Sequence, residues 1–335
     1  MGIQFTKLEF NHLLEQWSKN YVVYAPTLYQ GAGAFSDTDQ VRYSEITNIE
    51  AIVFDKKSNF SYKEVLLPIT QTLFFFTEDE IKEAEMNTRQ LIIILRSCDL
   101  HAVRRLDEIY LRNGFVDIYY KKFRENTKFI VMGCEQSFKN CFCVSMNTNT
   151  CTNYDGYLHL EQDQIVLEIK TPQLLDGIHL ETKQEIEVKP KFVTENETTV
   201  NIPEKLDLHV IYSEMWEEYS ARCIGCGRCN FVCPTCTCFT MQDIFYKDNP
   251  KCGERRRVWA SCQVDGYTDM AGGHKFREEK GQRMRFKVLH KVNDFKKRNG
   301  YHMCIGCGRC DDACPEYISF SNCVNKLNQV VEEVE

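Results

Sequence analysis

The sequence predicts two units: an α/β domain with α+β features over residues 1–205, and a mainly helical, cysteine-rich domain over 206–335. Three observations lead there. Strand-like and helix-like apolar patterns alternate through the first half. The second half carries one cysteine pattern twice. Between them, Lys183–Lys205 is polar and contains Pro190 and Pro203, the composition of a linker.

Taken in order, Thr6 and Glu9 form a capping box, so the spacing predicts a helix over 7–19. Tyr21–Ala25 and Ala51–Phe54 read as short strands. Gln90–Leu95 (QLIIIL) has the length and apolar content of a buried strand. Asp99–Leu111 reads as a helix with Asp99 as its N-cap and Ala102, Val103, Leu106, Ile109 and Tyr110 along one side. Lys128–Met132 is the next strand, which makes a strand–helix–strand unit and a partly parallel core. Residues 157–169 read as a β-hairpin and Glu197–Ile202 as a further strand. In the second half, Ser213–Arg222, Gln242–Tyr246 and Lys275–Arg298 read as helices.

The doubled pattern is C-x-x-C-x-x-C-x-x-x-C-P. It places Cys223, Cys226, Cys229 and Cys233 before Pro234, and Cys304, Cys307, Cys310 and Cys314 before Pro315. CIGCGRC stands at 223–229 and again at 304–310. Three cysteines three residues apart on a tight loop can meet three corners of a cubane cluster. The fourth thiolate comes from elsewhere, and in two-cluster ferredoxins it comes from the other run. Carried onto this chain, Cys223, Cys226, Cys229 and Cys314 hold one [4Fe–4S] cluster, and Cys304, Cys307, Cys310 and Cys233 hold the other. Gly225, Gly227, Gly306 and Gly308 are expected to let the backbone approach the cubes. A structural zinc site would close one tetrahedron with two C-x-x-C knuckles, which this pattern fits poorly. Disulfides are not expected where no secretory segment is read. The seventy residues of 234–303 between the runs exceed a compact ferredoxin. The expected fold is therefore an α+β / α/β domain followed by a mainly helical two-cluster [4Fe–4S] ferredoxin-type domain.

Ten of the eighteen cysteines remain. Cys98 follows one predicted strand and Cys134 the next, so both belong to the carboxyl edge of a parallel sheet, where ligands bind. Cys141 and Cys143 return nearby. These four are candidate ligands for a third Fe–S cluster, with Cys151 a substitute for one of them. The alternative is that they pack as small hydrophobes. Cys236, Cys238, Cys252 and Cys262 form another pool, read as packing beside a cluster or as alternative ligands. Cys323 reads as structural.

Net charge is −7, divided as −8 over residues 1–205 and +1 over 206–335. Lys275–Arg298 is strongly basic. It is either the solvated face of a helix or a source of cations that offset cluster charge or dock an acidic partner. An acidic chain without a recognised nucleic-acid motif argues against nucleic acid as partner. No apolar run approaches the ~20 residues of a membrane helix. Many free thiolates and no targeting segment point to the cytoplasm. No G-x-G-x-x-G occurs, so no flavin or nicotinamide is expected in this chain. No Ser-His-Asp or G-x-S-x-G arrangement suggests hydrolysis. His101, beside Cys98, reads as helix surface. A chain with conductors and no terminal donor or acceptor should be part of a larger complex.

SCDLHAVRRLDEIYL at 97–111, DIYYKKFRENTKFIVMGCE at 117–135, CFCVSMNT at 141–148, CPTCTCF at 233–239, WASC at 259–262 and AGGHKFR at 271–277 resemble the iron–sulfur subunit of anaerobic sulfite reductase and the related beta subunits of sulfhydrogenases. The resemblance spans both halves. It implies an iron–sulfur conduit between a flavin subunit that oxidises NADH and a sirohaem subunit that reduces sulfite to sulfide. The sulfhydrogenase alternative implies a flavin partner and a nickel–iron partner. A redox-sensing Fe–S protein without catalysis is a third reading.

Overall fold

The structure, a computed structural model, describes residues 2–35, 37–86, 89–178 and 185–332. Eleven strands are found among the described residues: β1 (Gly2–Thr6), β2 (Tyr21–Tyr29), β3 (Gln40–Glu45), β4 (Thr70–Phe76), β5 (Ile81–Glu83), β6 (Gln90–Leu95), β7 (Thr127–Met132), β8 (Gly156–Glu161), β9 (Gln164–Ile169), β10 (Phe239–Phe245) and β11 (Gly253–Trp259). The first four helices are α1 (Lys7–Trp17), α2 (Lys63–Leu66), α3 (Ser97–Tyr110) and α4 (Ile118–Glu125).

Seven strands form one mixed sheet in the order β1-β9-β8-β7-β6-β2-β3. β2, β6, β7 and β8 are parallel to one another, and β3, β9 and β1 pair antiparallel at the flanks. β6 and β7 are central and covered on both faces, which is why they read as continuous apolar runs. Alternate residues of each split between two cores. Ile92, Ile94, Ile130 and Met132 meet Phe10, Leu13, Leu14 and Trp17 of α1 on one face. Ile93, Leu95, Phe129 and Val131 meet Ala102, Val103 and Leu106 of α3 on the other. The capping box of α1 is present: Thr6 N–H donates to Glu9 Oε2 at 2.7 Å, and Glu9 N–H donates to Thr6 Oγ1 at 3.3 Å.

The remaining helices are α5 (Met215–Arg222), α6 (Arg228–Phe231), α7 (Lys280–Leu289), α8 (Phe295–Asn299), α9 (Arg309–Asp312) and α10 (Phe320–Glu332). A third core gathers Trp216 and Tyr219 of α5, Met284 and Val288 of α7, and Phe320, Val324 and Leu327 of α10.

Residues 206–335 are not mainly helical, which corrects the expectation. β10 and β11 pair antiparallel, and β11 pairs with β4, so a second sheet runs β10-β11-β4-β5. It joins segments from both sides of residue 205. Gln242–Tyr246, expected as a helix, lies mostly in β10. Its short run of apolar and polar residues fits either period, and the distant partner decides. Arg255 on β11 holds Asp243 on β10 with two bonds, at 2.6 and 2.7 Å.

Four smaller expectations are also corrected. Ala51–Phe54 is not a strand; the chain turns at Ile49–Ala51, where Asn48 Oδ1 accepts the N–H of Ala51 at 3.0 Å. Glu197–Ile202 is not a strand either, because side chains satisfy its backbone: Val200 N–H donates to Ser145 Oγ and Asn201 N–H to Asn325 Oδ1. Lys275–Arg298 is helical only from Lys280, with one π turn at His290–Asp294. Asp99 is not a cap, since α3 starts two residues earlier and its carboxylate has another partner. Of the linker candidate, 183 and 184 lie outside the described residues. Beyond them the segment is packed: Phe192 bridges to Cys134, and Val193 is buried.

Candidate metal centre

The two cysteine runs fold alike. Each passes through two left-handed glycines, Gly225 and Gly227 in the first (φ 71° and 75°), Gly306 and Gly308 in the second (φ 68° and 67°). Each is entered from a helix, α5 or α8, and continues into one short turn of helix, α6 or α9. Gly225 N–H donates to Cys223 Sγ at 3.4 Å, and Gly306 N–H donates to Cys304 Sγ at 3.5 Å.

Three cavities are ringed by cysteines. The first is lined by Cys223, Cys226, Cys229 and Cys314, with Cys310, Ile224, Pro315, Ile318 and Phe320. The second is lined by Cys233, Cys304, Cys307 and Cys310, with Phe142, Ile305 and Phe320. The structure thus brings each run's fourth cysteine to the other run's first three. The third cavity is lined by Cys98, Cys134, Cys141 and Cys143, with Phe138, Val193, Asn196 and Cys307. It lies past the ends of adjacent parallel strands β6 and β7, as the two strand-following cysteines require. Among the described residues, no three His, Cys, Asp or Glu side chains converge on a single metal ion. The thiols ring a space instead, which is the donor arrangement of a cubane cluster.

The three cavities stand in file. Cys310 borders the first and the second, and Cys307 borders the second and the third. Gly306 and Gly308 also make that approach possible, a role added to the one expected for them. A Cβ on Gly308 would overlap the backbone carbonyl of Asn140, and one on Gly306 would overlap that of Phe142. Phe142 N–H donates to the Gly306 carbonyl at 2.7 Å, so the second run lies directly on the 140–143 loop. Thr148 Oγ1 adds a bond to the carbonyl of Ile305 at 2.6 Å.

Buried cations accompany the thiols. Lys287 lines the first and second cavities although it is 4% exposed. Burial opposes its charge, but the neighbouring sulfurs of Cys229 and Cys310 outweigh burial and hold it well above the ordinary lysine range. Lys291, equally buried, donates from Nζ to Cys233 Sγ at 3.3 Å and to Thr235 Oγ1 at 2.8 Å. The third cavity has Lys57, Arg96 and Arg309 in its wall. Lys57 Nζ donates to the Cys307 carbonyl at 3.2 Å and lies 3.8 Å from Cys141 Sγ. Burial raises the Cys98 and Cys141 thiols, pushes Cys143 up to about 11, and pushes Cys307 up to about 12. A metal that binds them as thiolates must displace those protons.

The other cysteines divide. Cys151 does not line the third cavity; it packs in the core beside Ser97. Cys252 sits near the turn of the β10–β11 hairpin and accepts a bond from Asn249 Nδ2 at 3.0 Å. Cys323 is fully buried in the third core. Cys236 and Cys262 lie against Asn230 of α6, and Cys238 lies against Cys262. All eighteen cysteines are free. His101 hydrogen-bonds the Thr150 carbonyl through Nε2 at 2.8 Å and does not line the third cavity.

The sequence reading did not single out Lys57, Lys287, Lys291, Arg309 or Asn196. Asn196 Oδ1 accepts the N–H of Val144 at 2.9 Å and so fixes the loop that carries Cys143. The basic stretch held the available signal for Lys287 and Lys291. It is only partly a solvated face, because these two lysines and Arg283 turn inward.

Residues 222–318 match the family described as 4Fe-4S dicluster domain. The chain therefore carries an iron–sulfur dicluster domain over the span that contains both cysteine runs, which supports two [4Fe–4S] clusters. Over most of its length it is also similar to sulfhydrogenase 2 subunit beta of Pyrococcus furiosus, with 27% identity over 304 residues that cover 86% of this chain and 89% of the relative. It is an iron–sulfur protein related to sulfhydrogenase beta subunits.

Proposed function

We propose that this chain is the electron-relay subunit of a multi-subunit oxidoreductase, with three [4Fe–4S] clusters in file. The observation that carries the reading is the row of three cysteine-ringed cavities with Cys310 and Cys307 at their shared borders. The proposed ligands are Cys223, Cys226, Cys229 and Cys314 for the first cluster, and Cys233, Cys304, Cys307 and Cys310 for the second. Cys98, Cys134, Cys141 and Cys143 are proposed for the third. Bound clusters would supply one-electron carriers at each station.

The chain's own residues do the rest. Four thiolates around each cube bring negative charge into a poorly solvated interior, which is costly unless it is offset. Lys287 and Lys291 offset it at the first two cavities, and Lys57, Arg96 and Arg309 at the third. Apolar walls of Phe142, Ile305 and Phe320 keep water from the middle station. Cys226 is exposed at the first cavity and Cys134 is half-exposed at the third, so both ends of the file approach solvent while the Cys307 end of the middle station is buried. Such a layout suits partners docked at opposite ends. Among the described residues, no helix is long and apolar enough to cross a membrane. The free thiols favour the cytoplasm as its compartment.

The motif blocks favour anaerobic sulfite reductase, with a flavin subunit that oxidises NADH at one end and a sirohaem subunit that reduces sulfite at the other. The Pyrococcus furiosus relative favours a sulfhydrogenase-like complex, for which the resemblance implies flavin and nickel–iron partners. Purification of the tagged chain from its source under anaerobic conditions separates them. Co-purified sirohaem, seen in the visible spectrum together with NADH-dependent sulfite reduction, supports the first. Co-purified nickel with hydrogen turnover supports the second. A chain that purifies alone and exchanges no electrons with a flavoprotein would overturn the relay in favour of a sensing role.

A further inference from the structure

The cluster file leaves three thiols unused on the other side of Asn230. That residue follows Cys229 directly and is 1% exposed. Its Nδ2 donates to Cys262 Sγ at 3.1 Å, while its Oδ1 lies 3.5 Å from Cys236 Sγ and 3.9 Å from Cys229 Sγ. Gln263, also buried, donates from Nε2 to Cys262 Sγ at 3.5 Å and to the Arg283 carbonyl at 2.9 Å. The second bond fixes that nitrogen as the amide end of the side chain.

Cys238 completes the group. It leads into β10, and its carbonyl accepts the N–H of Ala260 across the hairpin at 2.9 Å. Cys262, two residues past Ala260, is brought back by the turn that follows β11, so that the Cys238 and Cys262 sulfurs lie beside each other. The hydroxyl of Tyr267, 37% exposed, hydrogen-bonds Cys238 in turn and connects it to the surface.

Cys262 therefore has a carboxamide donor from Asn230 and another from Gln263, with the Cys238 sulfur beside it. A buried cysteine that only fills space needs none of them. Two oriented carboxamides stabilise sulfur as a thiolate, the form that makes and breaks disulfides. We propose that Cys238 and Cys262 are a redox-active dithiol–disulfide pair that communicates with the cluster file through Asn230. This rests on the cluster reading only for the source of its electrons.

The step balances within the molecule and solvent. Two electrons, which bound [4Fe–4S] clusters would supply one at a time, and two protons would open the S–S bond and leave two thiols. In reverse, the S–S bond would form, two protons would leave through the Tyr267 side, and two bound clusters would take up one electron each. The pair would store two electrons beside carriers that hold one each.

The test uses the full chain with its clusters. Samples are equilibrated anaerobically with an oxidised cyclic dithiane or with dithionite, quenched in acid, denatured, alkylated with N-ethylmaleimide and peptide-mapped. A Cys238–Cys262 linked peptide is expected in the oxidised sample and not in the reduced one, with Cys323 alkylated in both. In a coulometric titration the chain should accept two more electrons than Cys262→Ser or Cys238→Ser of equal iron content and equal cluster EPR signal. Both thiols alkylated at every poise, or equal electron uptake in the variants, would overturn the proposal. Absence of iron from the chain would defeat the relay instead, and the peptide map would still decide the disulfide.

Discussion

Arg309 closes on Asp99 in a bidentate pair, Nη1 to Oδ1 at 2.7 Å and Nη2 to Oδ2 at 2.8 Å, with side chains 2% and 0% exposed. One partner sits in the second cysteine run and the other in the first turn of α3. Arg309 also donates to the Ser58 carbonyl and Oγ, at 2.9 Å each. Arg309 lines the third cavity and pins the run to α3 and to the loop at Ser58.

Removing one member of such a pair leaves a buried charge without its partner, which costs roughly 3–5 kcal/mol. Asp99→Ala should lower stability by about that amount, read as a drop in the denaturant midpoint. An unchanged midpoint would mean that solvent reaches Arg309.

Iron content reports the three stations separately. The unsubstituted chain, purified anaerobically, should carry about twelve irons and an equal amount of acid-labile sulfide, four for each of three clusters. Cys141→Ala should reduce this to about eight while the chain stays folded, and Cys314→Ala should remove the first cluster instead. Retention of about twelve irons by Cys141→Ala would show that the third ligand set is wrong.

Lys287 lines two cavities, and reduction makes each of their clusters more negative. Lys287→Met keeps the length of the side chain and removes the cation. Both potentials should fall, by on the order of tens of millivolts, in an EPR-monitored redox titration. The third cluster, whose cavity Lys287 does not line, serves as the internal control. Equal shifts at all three would point to a general loss of structure.

His159 offers a pH test. It is 5% exposed, neither ring nitrogen makes a hydrogen bond, and burial lowers its pKa below the ordinary histidine value of 6.5. Above about pH 6.5 both folded and unfolded chains hold it neutral. As pH falls below that, the unfolded chain takes the proton first, so stability is lost until the folded value is passed. His159→Leu should therefore show a smaller fall in melting temperature between pH 7.5 and 5.5. Parallel falls in the two proteins would assign the loss to other groups, His101, His290 and His302 among them, since burial lowers those too.

The sequence made the mixed sheet and the cysteine sets legible because both are local. QLIIIL and KFIVM are apolar on both faces, and each four-cysteine run writes its ligand spacing in a dozen residues. The third cavity was legible only through topology: cysteines directly after two adjacent parallel strands must share one edge. What local pattern could not reveal was pairing at long range. Nothing in Phe239–Phe245 says that the neighbour of its partner β11 will be β4. Likewise Asp99 at a helix start looks like a cap until Arg309, 210 positions later, takes its carboxylate. The inward turn of Lys287 and Lys291 was hidden for the same reason, since a basic helix normally faces water.

The wall of the third cavity has a consequence for how the molecule is made. Cys98, Cys134, Cys141 and Cys143 are synthesised early, but Cys307 and Arg309 close the same cavity from far downstream, Cys307 being 166 positions after Cys141. A nascent chain that has emerged only as far as β9 holds four thiols at an open sheet edge, without Arg309 and the second cysteine run that close over them. Iron loaded at that stage would be exposed to oxygen and to chelators. A third cluster at this station would therefore have to wait until the second cysteine run has emerged and docked.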